Sequence, residues 1–167
     1  TMQAYASDGH ADNAIAESSR VSMVAFLFTG QGSQYEGMGK ELYDSEPVFR
    51  SMMDRCDAAL RSVLPHALLE VMYGSDAAVS ALLHDTQYAQ PALFALEVAT
   101  AELWKSRGYT PAAVMGHSVG EFGAACVAGV MSVEEGVKLI AKRGELMSEL
   151  AAGGVMEAVM ASVVGVE

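Results

Sequence analysis

Apolar positions change their period several times along the chain, and each change marks an element. Val24-Ala25-Phe26-Leu27-Phe28 is a continuous apolar run of strand length, as expected of a strand covered on both faces. It ends in a glycine-bearing loop, Thr29-Gly30-Gln31-Gly32-Ser33-Gln34. Ser45 with Pro47 then opens a helix whose apolar positions Val48, Phe49, Met52, Met53, Cys56, Leu60 and Val63 recur at spacings of three and four. A shorter helical pair over 66–72 and 76–84 precedes a predicted loop at Asp85–Tyr88. Gln90-Pro91 is read as the start of the clearest helix, with proline in its first turn and Gly108 just past its end. Its expected buried stripe is Leu93, Leu96, Ala99, Leu103 and Trp104.

Further along, Ala112-Ala113-Val114-Met115 is a short apolar run suited to a buried strand, and a small-residue helical stretch follows over 119–129. Ser132-Val133-Glu134-Glu135 has the spacing of a capping box and predicts a helix running to about Ser148. Beyond Gly153-Gly154, residues 155–164 read as one more strand. Residues 1–21 lack apolar periodicity and are read as a linker or disordered end, with order beginning at Ser22. Strand–helix–strand–helix order predicts an α/β fold with a mainly parallel sheet flanked by helices. No internal repeat is present.

Composition narrows the function classes. Of 167 residues, 51% are hydrophobic and 19% charged, which suits one domain with a real core, or a domain and part of another. The net charge of −11 argues against a nucleic-acid partner. No apolar run approaches the roughly 18 residues of a membrane span, so no membrane role and a cytoplasmic location are expected. Cys56 and Cys126 fall on apolar helix faces and read as reduced packing thiols.

The candidate chemistry centres on Gly116-His117-Ser118-Val119-Gly120-Glu121, which contains the Gly-x-Ser-x-Gly pattern of a nucleophile elbow. A sharp strand-to-helix turn brings the backbone close to its neighbours, so the flanking positions need glycine, while the serine hydroxyl is lifted clear of the sheet. A serine also needs a base within reach. The four histidines are His10, His66, His84 and His117, and none follows Ser118 in the sequence. His117 is expected to leave the turn in another direction, and His66 and His84 to cap or border short helices. Arg143 has two readings. It flanks the stripe Val137, Ile140, Gly144 and Met147, so it is either a snorkelling arginine or a charged fork for a carboxylate. The 30–34 loop is either a tight turn or a source of backbone N–H groups for an oxyanion.

Four segments, in order and spacing, resemble one family: Phe28–Gln34, Gln90–Phe94, Gly116–Glu121 and Arg143-Gly144. They are similar to the malonyl-CoA:acyl carrier protein transacylases, which include the acyltransferase domains of polyketide and fatty-acid synthases. The resemblance runs from about Val24 to Val164. It implies an α/β-hydrolase-like large subdomain, with its N-terminal part over 22–150, and the first strand of a small ferredoxin-like subdomain within 151–167. It implies that Ser118 is the nucleophile and that the backbone N–H groups of Gln31 and Val119 form the oxyanion hole. Arg143 would hold the free carboxylate of the substrate, with Gln90 nearby. No bound cofactor is implied. Malonyl-CoA, or methylmalonyl-CoA, is the implied donor, and the phosphopantetheine thiol of an acyl carrier protein the acceptor. Val119 is similar to malonyl-selecting domains, and a neighbouring ketosynthase or the remaining part of the acyltransferase is an implied partner.

The family's catalytic histidine and a downstream specificity motif are expected beyond residue 167. The chain is therefore expected to be a fragment that transfers acyl groups poorly on its own. Two alternatives are a serine hydrolase, thioesterase or patatin-like, and a non-catalytic scaffold segment of a synthase.

Overall fold

The strand Ala25–Phe28 (β1) pairs in parallel with Ala113–Gly116 (β2), Phe28 lying opposite Gly116. The computed structural model describes residues 23–150. A parallel pair needs a crossover, and the intervening chain supplies it as helices. These are α1 (Lys40–Ser45), α2 (Pro47–Leu60), α3 (Leu68–Tyr73), α4 (Ala77–Ser80) with a 3-10 turn at Ala81–His84, and α5 (Thr86–Ser106). After β2 come α6 (Gly120–Val127) and α7 (Val133–Ser148). The result is a helix-rich α/β arrangement with a small parallel sheet.

The sheet is covered unequally. Phe28 is buried with Ala101 of α5 and Ala124 of α6, and Phe26, Val114 and Val127 pack against them. On the opposite face, Leu27 and Met115 are 69% and 65% exposed. Among the described residues, β1 is therefore covered on one face, not on both as its unbroken apolar run predicted.

The main core lies between α2, α5 and α7, where Phe49, Met53, Cys56 and Leu60 meet Leu93, Phe94, Val137 and Ile140. The predicted spacing in α2 holds for these residues, while Val48 and Val63 remain partly exposed. Cys56 and Cys126 are free thiols. Burial pushes Cys56 up to about 12 and Cys126 to about 11, so both stay protonated and unreactive near neutrality.

The predicted start of α5 needs correction. Residues 86–88 belong to the helix, because the N–H groups of Tyr88 and Ala89 already donate to the Asp85 carbonyl. Tyr88 is buried, and its hydroxyl accepts the N–H of His66. Tertiary burial thus extends the helix four residues ahead of Gln90, and Pro91 lies inside it. Proline there removes one intrahelical donor, the partner of the Gln87 carbonyl. From Tyr88 to Ala95 every residue is buried, because other helices surround this half of α5. The expected stripe holds at Leu93, Ala99 and Leu103, but Trp104 stands 45% exposed, edge-on to Tyr109.

The capping box forms as predicted. The Ser132 hydroxyl accepts the Glu135 N–H and the Glu135 carboxylate accepts the Ser132 N–H, so α7 starts at Val133. The predicted linker over 1–21, the strand over 155–164 and the onset of the small subdomain lie outside the described residues. No described helix is long and apolar enough to cross a membrane.

Candidate active site

The turn between β2 and α6 forces Ser118 into a conformation that L-residues rarely adopt. Its φ is 54°, and it is the only non-glycine residue with positive φ among the described residues. The neighbouring glycines make this possible. A Cβ at Gly116 would overlap the backbone of Gly120 and Glu121, and one at Gly120 would lie 2.5 Å from the carbonyl oxygens of both Phe28 and Thr29. The Gly120 N–H closes the turn on the His117 carbonyl, and the His117 N–H ties it to Phe28 at the end of β1. Ser118 is exposed at the tip, and Val119 behind it is fully buried.

The loop after β1 packs directly beside this turn. Gly30 leaves room for the His117 ring, since a Cβ there would lie 2.6 Å from Nδ1. His117 is thus turned toward the loop, and among the described residues the only hydrogen-bonding neighbour of the Ser118 hydroxyl is an arginine. His66 sits 3.9 Å from Glu70, and His84 ends the 3-10 turn. The loop is anchored from below. The Thr29 N–H and hydroxyl both donate to Glu97 Oε1, at 2.7 and 2.9 Å. Among the described residues, the backbone N–H groups of Gln31 and Val119 have no acceptor.

Arg143 reaches the serine from α7. Its Nη2 lies 3.5 Å from Ser118 Oγ, at the outer limit of a hydrogen bond, while Nη1 donates to Gln90 Oε1 at 2.5 Å. The guanidinium also lies 5.9 Å from the centre of the Phe122 ring. Gly144 permits this approach, because a Cβ there would lie 2.8 Å from the Thr86 carbonyl of α5. Gln90 is fully buried and fully used: its Nε2 donates to Thr86 Oγ at 2.9 Å and faces Met147 Sδ at 3.3 Å. The Thr86 hydroxyl in turn donates to Gln31 Oε1 at 2.8 Å.

The predicted residues Ser118, Arg143, Gln90 and Gln31 therefore form one continuous polar constellation, with Val119 at the helix start beside it. One member, Thr86, and the anchor of the neighbouring loop, Glu97, were missed. Thr86 fell in the segment read as loop. Glu97 had a visible signal, a carboxylate seven residues after Gln90 on the same helical face. Its Oε2 is buried without a hydrogen-bond partner among the described residues, and burial raises its pKa from the ordinary 4.5 to about 7 despite the two Thr29 bonds. A cavity of about 520 Å³ lined by β1, Glu97, Thr100, Trp104 and Tyr109 lies apart from Ser118 and Arg143.

These features define an α/β protein with an exposed serine on a strained strand-to-helix turn, flanked by an arginine fork and by N–H donors unpaired among the described residues. Comparison with known proteins gives that class a family. The family model for the acyl transferase domain matches residues 25–166. Polyketide synthase GfsB of Streptomyces halstedii is 47% identical over 162 residues, covering 96% of this chain and 3% of that synthase. The acyl transferase domain of ZmaA superposes with a TM-score of 0.73 at 44% identity, over 78% of this chain and 31% of that one. The malonyl CoA-acyl carrier protein transacylase from Clostridium perfringens gives 0.70 at 33% identity, over 80% and 40%. The chain belongs to the malonyl-CoA:acyl carrier protein transacylase family of acyltransferase domains. It spans only a small part of that synthase and less than half of each of these solved structures.

Proposed function

We propose that Ser118 accepts a malonyl group from CoA as an ester and passes it to the phosphopantetheine thiol of an acyl carrier protein. One observation carries this reading: a permanently charged guanidinium, held by the buried Gln90, stands 3.5 Å from the serine hydroxyl. A cation so close to the nucleophile suits an acyl group with a free carboxylate at its far end. In the first half-reaction Ser118 Oγ attacks the thioester carbonyl and gives its proton to a base. The Gln31 and Val119 N–H groups receive the developing oxyanion, and the C–S bond breaks to release CoA as its thiol, which takes the proton back. In the second half-reaction the carrier thiol attacks the ester by the same path, and the serine recovers its proton.

The base is a histidine other than His117, whose ring faces Gly30. By the same reading, residues 22–150 belong to an α/β-hydrolase-like large subdomain. Val119 favours malonyl over methylmalonyl. A ketosynthase neighbour fits the polyketide-synthase relatives.

The test is intact-mass and peptide mass spectrometry of the complete acyltransferase domain after exposure to malonyl-CoA. A malonyl ester on Ser118, absent in Ser118→Ala and discharged by holo carrier protein, is the expected result. An ester discharged equally fast by water would favour a hydrolase. No ester at all would favour a scaffold.

A further inference from the structure

The side chains around Gln90 form a relay whose direction is fixed at its Arg143 end. A guanidinium has donors and no acceptor, so Arg143 Nη1 at 2.5 Å obliges Gln90 to present its carbonyl oxygen. The Gln90 amide nitrogen must then face Thr86 Oγ at 2.9 Å, where the threonine accepts. The Thr86 hydroxyl, accepting from Gln90, donates its own proton to Gln31 Oε1 at 2.8 Å. The fixed donor character of Arg143 thereby sets the orientation of the Gln90 amide, and Thr86 links that amide to Gln31 in the loop beside the nucleophile. Gln90 is fully buried, so losing a partner there carries the desolvation cost of an unmade hydrogen bond. Gly144 brings α7 against the Thr86 carbonyl, so the relay sits where the two helices touch.

We propose that Thr86 is a positioning residue that couples the carboxylate fork at Arg143 to the loop at Gln31, adding selectivity for dicarboxylic acyl groups. The inference rests on the acyl-transfer reading above. Thr86 touches no reacting atom. It fixes the Gln31 amide on one side and the Gln90 amide, and through it Arg143, on the other. An acetyl group uses the loop alone, whereas a malonyl group uses loop and fork together. Loss of the hydroxyl therefore harms malonyl transfer more than acetyl transfer.

The experiment compares acylation of Ser118 by malonyl-CoA and acetyl-CoA in the complete acyltransferase domain, by rapid-quench mass spectrometry. Thr86→Val keeps the side-chain shape and is expected to slow malonylation about tenfold and acetylation about threefold. Thr86→Ser, which keeps the hydroxyl, is expected to stay within about twofold for both. In a Gln31→Ala background the effect of Thr86→Val on malonylation is expected to shrink to about threefold, because the two residues act through one bond. Equal losses for the two donors would overturn the proposal, since a mere folding defect lowers both alike. So would Thr86→Ser behaving as Thr86→Val, or full additivity with Gln31→Ala. A wild-type ester with an unshifted donor ratio in Thr86→Val overturns the role of Thr86 alone. No wild-type ester with either donor overturns the acyl-transfer reading and this inference with it.

Discussion

The turn at residues 116–120 is held by backbone atoms within a few residues of Ser118 and by the end of β1. The polar relay through Gln90 is held by side chains from α5, α7 and the loop after β1, separated by more than fifty residues of sequence. Both end at the same serine hydroxyl, yet they store their precision differently. The turn depends on the absence of atoms, since a Cβ at either glycine meets backbone that cannot move aside. The relay depends on the presence of atoms, since each amide or hydroxyl satisfies the next. A defect in the first is expected to break the fold locally. A defect in the second is expected to change what the site accepts.

The largest expected effect tests the turn. Gly120→Ala places a methyl 2.5 Å from two carbonyl oxygens and is expected to destabilise by at least about 3 kcal/mol, read by chemical denaturation. A loss below about 1 kcal/mol would show that β1 can yield, and the contrast between rigid turn and adaptable relay would fail. Arg143→Ala tests the other side. It is expected to slow malonylation of Ser118 about a hundredfold and acetylation only a few-fold, because only malonyl presents a free carboxylate. Equal slowing would make Arg143 a packing residue.

Glu97 connects the two regions, since it anchors the loop and lies on the helix that carries Gln90. Its carboxyl is raised to about 7 in the fold by burial, against about 4.5 in the unfolded chain. Below the lower value both states hold the proton and the group is neutral in its effect. As pH rises from about 4.5 to 7, only the unfolded state ionises, so stability falls, and above 7 the full penalty remains. After discounting for partial exposure, that penalty is about 1–2 kcal/mol. Glu97→Gln keeps an oxygen for Thr29 and is expected to flatten this pH dependence, measured by denaturation at pH 4, 6 and 8 (set on the order of the titration window). A wild-type profile already flat there would mean that the carboxyl finds a partner. The smallest effect is Ser132→Ala, which removes one half of the capping box and is expected to cost about 1 kcal/mol with no change in donor preference.

The turn was legible because its requirements are local. Gly116, Ser118 and Gly120 between an apolar run and a small-residue stretch leave few alternatives to a strand, a tight turn and a helix. The capping box at Ser132 and Glu135 was legible for the same reason. The start of α5 was not, because Thr86 and Tyr88 are weak helix formers and Gln87 alone does not nucleate a turn. The burial of Tyr88 decided their state. Thr86 was missed with them, and its role depends on Gln31 and Gln90 arriving from both sides.

The sequence by itself determined the α/β order, the elbow and the family, because these rest on short-range sterics and on spacing along one chain. It named Arg143 as a candidate fork but left it open between snorkelling and ligand binding. Only the tertiary structure decided that Arg143 lies beside Ser118, that Gln90 holds it, and that Thr86 ties both to the loop after β1. The reason is physical: a hydrogen bond has a length and a direction, and neither exists until Gly144 lets α7 close on α5.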